Sequence, residues 1–166
     1  MSDRTKARTR GHPDQSTKLV VHGTCVAIGA AGVLLTGPSG SGKSDLALRL
    51  IDDGAELVAD DLTTLSAGTA GTARTAGAAG AAELVAHAPD RLAGRLEARG
   101  LGIIAVPHRD RAALRLVVEL APGAAIERLP DARCVAYLGV EVPAVRLDPF
   151  EASAAAKVRA AVGGLE

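Results

Sequence analysis

The chain has 166 residues, of which 48% are apolar and 23% charged, so it is long enough for one domain with a sizeable core and has an ordinary globular composition. Nineteen acidic residues balance nineteen basic ones. The sequence contains one Phe, one Tyr and no Trp. The composition therefore predicts neither a basic surface nor an aromatic platform for stacking bases. Nucleic acid is not expected as a partner.

Residues 1–17 are polar, contain Gly11 and Pro13 and show no apolar periodicity, so they are predicted to form a disordered arm before one domain at residues 18–166. No apolar segment of the signal-peptide type follows the basic residues of this arm, and no stretch reaches the roughly 18 apolar residues of a membrane span. We therefore expect a cytoplasmic protein without a membrane partner. Cys25 and Cys134 lie far apart in apolar stretches, so each is expected to pack as a small apolar side chain, without a disulfide or a zinc site.

Three short apolar runs open the predicted domain, at residues 19–21, 24–28 and 33–36. They have strand-like composition and are separated by glycines. This pattern predicts a small β-hairpin that leads into the motif that follows.

A phosphate-binding motif follows the third run. Residues 37–44 read G-P-S-G-S-G-K-S and match G-x-x-x-x-G-K-[ST] between a predicted strand and a predicted helix. In such loops the backbone N–H groups and the helix N-terminus face an anion, the lysine neutralises the outer phosphates and the serine hydroxyl reaches Mg²⁺. A nucleoside triphosphate is the predicted ligand. The predicted binding residues are Gly37, Pro38, Ser39, Gly40, Ser41, Gly42, Lys43 and Ser44.

Two adjacent carboxylates come shortly after the loop. A helix is predicted from residue 42 to about 52, with a left-handed Gly54 at its end, and a strand at 55–59 ends in Asp60 and Asp61. After a phosphate-binding loop, such a pair is expected to help hold Mg²⁺ and to reach the reacting hydroxyl, either dividing these tasks or sharing them. The alternative is that the pair only starts a turn or caps a helix.

Two further polar residues are candidates, each with a structural alternative. His22 is a candidate general acid/base or phosphate ligand, although a single histidine in a half-buried strand more often packs and forms hydrogen bonds. Glu97 lies in the segment R-L-E-A-R-G-L-G-I-I, where E-A-R is compatible with a solvated face but the glycines at 100 and 102 indicate a close backbone approach.

The rest of the chain gives weaker patterns. Residues 66–82 consist almost wholly of Ala, Gly and Thr and are predicted to form a mobile excursion, with an Ala-rich helical turn as the alternative. Strands are predicted at 103–106, at 114–120 and, interrupted by Gly139, at 135–142. The letters D-P-F-E from residue 148 have the form of a capping box and predict a helix from 149 to about 162.

Four segments together resemble the catalytic, C-terminal domain of the HPr kinase/phosphorylase family, bacterial enzymes that phosphorylate the protein HPr on a serine. The segments are H-G at 22–23, the loop at 37–44, V-A-D-D at 58–61 and L-E-A-R-G-L-G-I-I at 96–104. The resemblance covers roughly residues 19–162. It implies an α/β fold, a P-loop kinase domain of the phosphoenolpyruvate-carboxykinase type with a mixed sheet. It also implies ATP and Mg²⁺ as cofactors, an HPr-type phosphocarrier protein as substrate, and assembly into a homo-oligomer, a hexamer.

The resemblance further implies roles in proton transfer. Asp61 would take the proton from the substrate serine, with His22 and Asp60 close by to assist it. Arg128, in the short motif E-R-L, looks like a further active-site arginine of the family.

The same resemblance implies how the nucleotide is held. Lys43 would bind the β and γ phosphates, and Ser44 and Glu97 would ligate the metal.

The chain departs from the family pattern at three places. Only a short arm precedes the domain, as in the short form found in α-proteobacteria, and residues 106–113 are shorter than the usual family insert. The family segment P-V-R-P-G-R-N, linked to reverse phosphorolysis by inorganic phosphate, reads P-A-V-R-L-D-P at 143–149 and keeps one arginine, Arg146. Since guanidinium groups are natural clamps for free phosphate, kinase activity is a firmer expectation than phosphorolysis.

Two other functions compete with the kinase prediction. The loop and the Asp60-Asp61 pair alone would also suit another P-loop small-molecule kinase or NTPase, but the segment at 97–104 argues against that class. A non-catalytic nucleotide sensor is the second alternative, although binding alone requires neither the carboxylate pair nor His22.

Overall fold

The computed structural model describes residues 17–69 and 82–165, within which the chain forms eleven β-strands, two α-helices and one 3₁₀ turn at Gly123–Ala125. The first five strands are β1 (Lys18–His22), β2 (Thr24–Ile28), β3 (Ala31–Thr36), β4 (Glu56–Ala59) and β5 (Leu62–Thr69). The others are β6 (Ala82–His87), β7 (Arg95–Ala98), β8 (Gly102–Ala105), β9 (Arg111–Leu120), β10 (Arg133–Tyr137) and β11 (Val140–Leu147). The helices are α1 (Lys43–Asp52) and α2 (Ala154–Gly163).

Nine of the strands in the described ranges form one mixed sheet. Its order is β1-β5-β6-β9-β3-β2-β4, with β11 beside the end of β9 and β10 beside β11. β9 runs parallel to β3 and to β11, while β6 pairs antiparallel with the first residues of β9. β7 and β8 form a separate antiparallel pair. The predicted α/β fold with a mixed sheet is confirmed.

Strand alternation sends apolar side chains to both faces of the sheet. On β3, Val33 and Leu35 belong to the cluster that the helices cover, and Leu34 belongs to the cluster on the opposite face. Leu50 of α1 and Val158 of α2 are fully buried in the first cluster. Burying each such side chain stabilises the fold by about 1.5–3 kcal/mol relative to leaving it exposed.

The first predicted elements are confirmed. Strands at 19–21, 24–28 and 33–36 and the helix after the loop are present, and Gly54 ends that helix with a φ of 95°. β2 and β3 form the expected hairpin. β1 does not extend it, however, because β1 pairs with β5 instead.

The two ends of the Ala- and Gly-rich segment are strands, which corrects the expectation of a mobile excursion for these end residues only. Residues 66–69 belong to β5, and Ala82 begins β6, to which β5 is paired through partners such as Ala67 and Leu84. Backbone hydrogen bonding between the strands does not require large side chains, so composition alone misjudged this part. Residues 70–81 of the segment lie outside the described residues, as do residues 1–16 of the predicted arm.

Residues 135–142 hold a turn between two strands instead of one interrupted strand. Leu138 and Gly139 have φ of 49° and 78°, the left-handed backbone required at both central positions of a tight hairpin turn, and β10 and β11 pair antiparallel across them. No helix in the described residues is long and apolar enough to cross a membrane.

The C-terminal helix begins later than predicted. α2 starts at Ala154, and Asp148 instead holds a preceding turn by accepting a hydrogen bond from the Phe150 N–H at 2.9 Å. The cysteines also differ from each other: Cys25 is buried as expected, whereas Cys134 is exposed because it lies on β10, beyond β11 at the margin of the sheet.

Candidate active site

The antiparallel position of β2 between β3 and β4 brings the glycine-rich loop and the Asp60-Asp61 pair to one edge of the sheet. Because β2 runs opposite to both neighbours, its first residue lies beside the ends of β3 and β4, with Thr24 paired to Leu35 and Cys25 paired to Ala59. The loop that leaves β3 and the carboxylates that follow β4 therefore meet at this edge.

The glycine-rich loop turns tightly between β3 and α1. Gly40 and Gly42 have φ of 78° and 89°, which favour glycine, and Gly42 directly precedes the helix. The Lys43 ammonium donates hydrogen bonds to the carbonyl oxygens of Gly37 at 2.9 Å and Pro38 at 3.0 Å. The Lys43 side chain thus lies folded back over the glycine-rich loop.

The Ser41 hydroxyl is a buried donor inside this loop. Its Oγ has no hydrogen-bond partner among the described residues. A Cβ added to Gly37 would lie 2.6 Å from this oxygen. Because glycine has no side chain, the first residue of the motif makes room for the Ser41 hydroxyl. An unpaired buried hydroxyl at a helix N-terminus fits a loop that receives an anion.

Asp60 connects three segments of the site. Its Oδ1 accepts hydrogen bonds from the Ser44 hydroxyl at 3.0 Å and the Thr24 hydroxyl at 2.9 Å. Its Oδ2 accepts one from the backbone N–H of Glu97 at 3.0 Å. One carboxylate therefore fixes the first turn of α1, the start of β2 and the strand β7 relative to one another.

Asp61 points away from this network. Its φ of 63° lies in the left-handed region, which is uncommon for a residue other than glycine, and the turn is held by hydrogen bonds from Gly23 N–H to Asp61 O at 2.8 Å and from Leu62 N–H to Asp60 O at 2.7 Å. Its Oδ1 lies 3.8 Å from His22 Nδ1, and both side chains are about three-quarters exposed, at 74% and 77%. The two neighbouring carboxylates thus face different partners.

Glu97 is held in the site through its backbone. It lies on β7 between the buried Leu96 and Ala98, so its own side chain is on the exposed face. The hairpin to β8 passes through Gly100 and Gly102, whose φ of 90° and 85° favour glycine. The predicted close backbone approach is wrong, because a Cβ added at either position would meet nothing within 4 Å.

Arg128 stands apart from the other candidates. It is exposed in the loop between the 3₁₀ turn and β10, and no hydrogen bond or ion pair joins it to another described residue. Thr24, in contrast, was missed by sequence reasoning although it is fully buried against Asp60. A threonine at the start of an apolar strand carries no signal of its own.

The oxygen donors at this edge suit Mg²⁺. No group of three or more His, Cys, Asp or Glu side chains within residues 17–69 and 82–165 forms a metal cage. The Ser44 hydroxyl and the Asp60 carboxylate are in contact, and a site with one or two carboxylates completed by phosphate oxygens and water is what Mg²⁺ prefers. Asp60, one of the pair expected to help hold Mg²⁺, touches Ser44, whereas Glu97, which the resemblance implies as a metal ligand, approaches Asp60 through its N–H.

Fold and site together define a mixed α/β domain in which a glycine-rich loop joins a strand to a helix and a carboxylate from a second strand binds the loop serine. Comparison with known proteins identifies the family. The model of the HPr Serine kinase C-terminal domain matches residues 14–162, and the chain belongs to that family.

Individual relatives agree with this assignment. The HPr kinase/phosphorylase of Chlorobaculum tepidum is 38% identical over 140 residues, which are 78% of this chain and 38% of that protein. The HPr kinase/phosphorylase of Bordetella pertussis is 38% identical over 120 residues, 66% of this chain and 35% of the relative. The chain thus spans less than two-fifths of the length of these curated relatives.

A solved structure has the same fold. The HPr(Ser) kinase/phosphatase from Coxiella burnetii superposes with a TM-score of 0.69 at 25% sequence identity, covering 88% of this chain and 89% of that one.

Proposed function

We propose that this chain is an ATP- and Mg²⁺-dependent kinase that phosphorylates a serine of an HPr-type phosphocarrier protein. The observation that carries the proposal is the separation of two adjacent carboxylates. Asp60 is bonded to the loop serine, and Asp61 is turned outward toward His22. Phosphoryl transfer to a protein requires these two positions, one at the nucleotide and one at the incoming hydroxyl.

In the proposed reaction the loop and the N-terminus of α1 hold the triphosphate. Lys43 exchanges its two carbonyl acceptors for the β and γ phosphate oxygens, which are stronger acceptors because they are charged. Ser44, Asp60 and Glu97 are the residues that would supply oxygens to the metal. Mg²⁺, when bound, offsets the charge of the phosphate oxygens and fixes their orientation.

Asp61 is the proposed general base. It accepts the proton of the substrate serine as the hydroxyl oxygen attacks the γ phosphorus in line with the leaving ADP. Its high exposure suits an acceptor on a separate protein, since the approaching serine must reach the carboxylate from solvent. His22, with Nδ1 3.8 Å from Asp61 Oδ1, is positioned to orient this carboxylate. Arg128 keeps its proposed role on family resemblance alone.

The kinase direction is favoured over phosphorolysis. Arg146, the arginine kept from the family segment linked to phosphorolysis, is engaged by Glu119 at 3.3 Å, and Glu119 also binds Arg133 at 2.8 Å. A guanidinium held by a carboxylate is less available to clamp free phosphate.

The test uses γ-labelled ATP, Mg²⁺ and an HPr-type protein, with mass spectrometry to locate the label. The wild-type chain is compared with Asp61→Asn and with Asp52→Asn, an exposed carboxylate at the end of α1. We expect labelled serine with the wild type and Asp52→Asn, and a rate lower by about 10²- to 10⁴-fold with Asp61→Asn at unchanged ATP affinity. An unchanged rate with Asp61→Asn would show that Asp61 is not the base.

The same experiment separates the competing functions. ATP binding with transfer to a small molecule but not to a protein would favour another P-loop kinase, and binding without any transfer would favour a nucleotide sensor. The hexameric assembly and the cytoplasmic location remain predictions, which gel filtration with light scattering and cell fractionation would examine.

A further inference from the structure

An apolar pocket lies beside the glycine-rich loop, on the side away from Asp60. Its walls are residues 38–41 of the loop, residues 120–122 and residues 148–150, and its volume is about 290 Å³. These three segments follow β3, β9 and β11, which run parallel to one another. The carboxyl ends of parallel strands are where open α/β sheets bind their ligands.

Phe150 is the unusual member of this pocket. It is the single Phe of the chain, and 72% of it is exposed. One edge of its ring packs on the loop, since a Cβ added to Gly42 would lie 3.2 and 3.3 Å from ring atoms Cζ and Cε1. The rest of the ring is left open beside residues that bind phosphate in loops of this type.

Hydrogen bonds within the chain hold Phe150 in this position. The Asp148 carboxylate accepts from Phe150 N–H at 2.9 Å and from Gly123 N–H at 2.8 Å, so it ties two walls of the pocket together. Arg49 of α1 donates to the carbonyl oxygens of Pro149 and Glu151, which anchors the same turn to the helix that follows the loop. The pocket is thus preformed, and binding there does not require ordering of its walls.

We propose that this pocket receives the base of the nucleotide whose phosphates occupy the loop, with the base packed on the open face of Phe150. The inference rests on nucleotide binding as proposed above and goes beyond it by naming where the base lies. A base attached through its ribose to loop-bound phosphates must lie next to the loop, and this pocket shares residues 38–41 with the loop.

The chemistry of the walls favours a flat, apolar group. Both oxygens of Asp148 already accept backbone hydrogen bonds, and Leu120 and Pro122 contribute apolar surface. An aromatic ring can stack on any base, because every base presents a π-face.

The experiment compares the affinities for ATP and for inorganic tripolyphosphate, measured by calorimetry with Mg²⁺ and without any protein substrate. Tripolyphosphate has the phosphate chain but no base. We expect the wild type to bind ATP more tightly than tripolyphosphate, and Phe150→Ala to weaken ATP binding by about 5- to 50-fold while leaving tripolyphosphate unchanged. Phe150→Tyr keeps the ring and should keep the ATP affinity. Leu92→Ala is the control for removing another exposed apolar side chain, 60% exposed and outside this pocket.

Three results would overturn the inference: equal affinity of the wild type for both ligands, equal weakening of both by Phe150→Ala, or no effect of Phe150→Ala on ATP. If the last were accompanied by a raised KM for the HPr-type protein, the pocket would instead hold an apolar side chain of the protein substrate. Because no phosphate acceptor is present, the affinities report on the pocket independently of phosphoryl transfer. If the kinase proposal alone were wrong, Phe150→Ala would still weaken ATP binding and leave tripolyphosphate binding unchanged, but the labelling experiment would give no labelled serine.

Discussion

The hydroxyl of Ser44 donates a hydrogen bond of 3.0 Å to Asp60 Oδ1 and so connects the helix that follows the glycine-rich loop with the end of β4. The same oxygen accepts from Thr24, which is fully buried. Because the three side chains are mutually satisfied, the oxygens expected to meet the metal are held in place by the folded chain itself.

Asp60→Ala should destabilise the protein by about 2–4 kcal/mol, because it leaves the buried Thr24 hydroxyl without its acceptor as well as removing the bonds to Ser44 and Glu97. Urea unfolding measures the loss. Asp52→Ala, an exposed carboxylate on α1, should change stability by less than about 0.5 kcal/mol.

A second substitution tests the cause of that loss. Thr24→Val in the Asp60→Ala background should recover part of the stability, since a buried polar group without a partner costs more than an apolar group of the same shape. Purely additive losses in the double variant would mean that the Thr24 hydroxyl finds another partner.

Gly42→Ala should cost more stability than Gly40→Ala. Both glycines have left-handed φ, of 89° and 78°, so each alanine carries about 1–2 kcal/mol of backbone strain. Only at Gly42 would the new Cβ also press on Pro149 at 3.1 Å and Phe150 at 3.2 Å, whereas nothing lies within 4 Å at Gly40. Thermal unfolding of the two variants compares them, and equal losses would mean that the turn at 149–150 moves aside freely.

The two thiols should differ in reactivity. Burial raises the pKa of Cys25 to about 12, although a backbone hydrogen bond at Val33 opposes part of that rise, so almost no thiolate exists at pH 8. Cys134 is exposed. We expect Ellman's reagent to modify one thiol rapidly in the native protein and the second only after unfolding. Cys134→Ser should remove the rapid phase, and two rapid phases in the wild type would contradict the buried position of Cys25.

Stability should fall as the pH is lowered through 6.5. Partial burial, and then the positive charges of Lys18 and Arg111, lower the pKa of His87 below its ordinary value of 6.5, so the unfolded chain takes up a proton at higher pH than the folded chain. The contribution of neutral His87 is complete above pH 6.5, declines as pH falls toward the folded-state pKa and is constant below it.

NMR titration of the His87 ring, together with urea unfolding between pH 5 and 8, tests this dependence. Lys18→Gln should raise the pKa of His87 toward its ordinary value, and His87→Gln should remove its share of the slope. A His87 pKa at or above 6.5 in the wild type would contradict the expectation. Ser66 is a further partner to vary, because its hydroxyl forms a hydrogen bond of 2.7 Å with His87 Nε2.

Local sequence patterns made the glycine-rich loop and the elements around it predictable. The loop at 37–44, its flanking strand and helix, and the carboxylates after β4 depend on neighbouring residues only, so composition and spacing were sufficient to identify them. The left-handed Gly54 was predictable for the same reason. The strand residues at the two ends of the Ala- and Gly-rich segment were not predictable. They are strands because β5 pairs with β6, and that pairing joins two segments that are separated in the sequence.

The different directions taken by the Asp60 and Asp61 side chains were decided only by tertiary structure. Strand alternation ends at Asp61, where the φ of 63° turns the side chain toward His22, and that turn is held by Gly23, a residue 38 positions earlier in the sequence. The pocket at Phe150 likewise needs the parallel alignment of β3, β9 and β11. The sequence by itself determined which chemical groups are present and the local elements that carry them, because these follow from short-range propensity. Which groups meet depended on strand order and register, because those are set by packing between segments far apart in the chain.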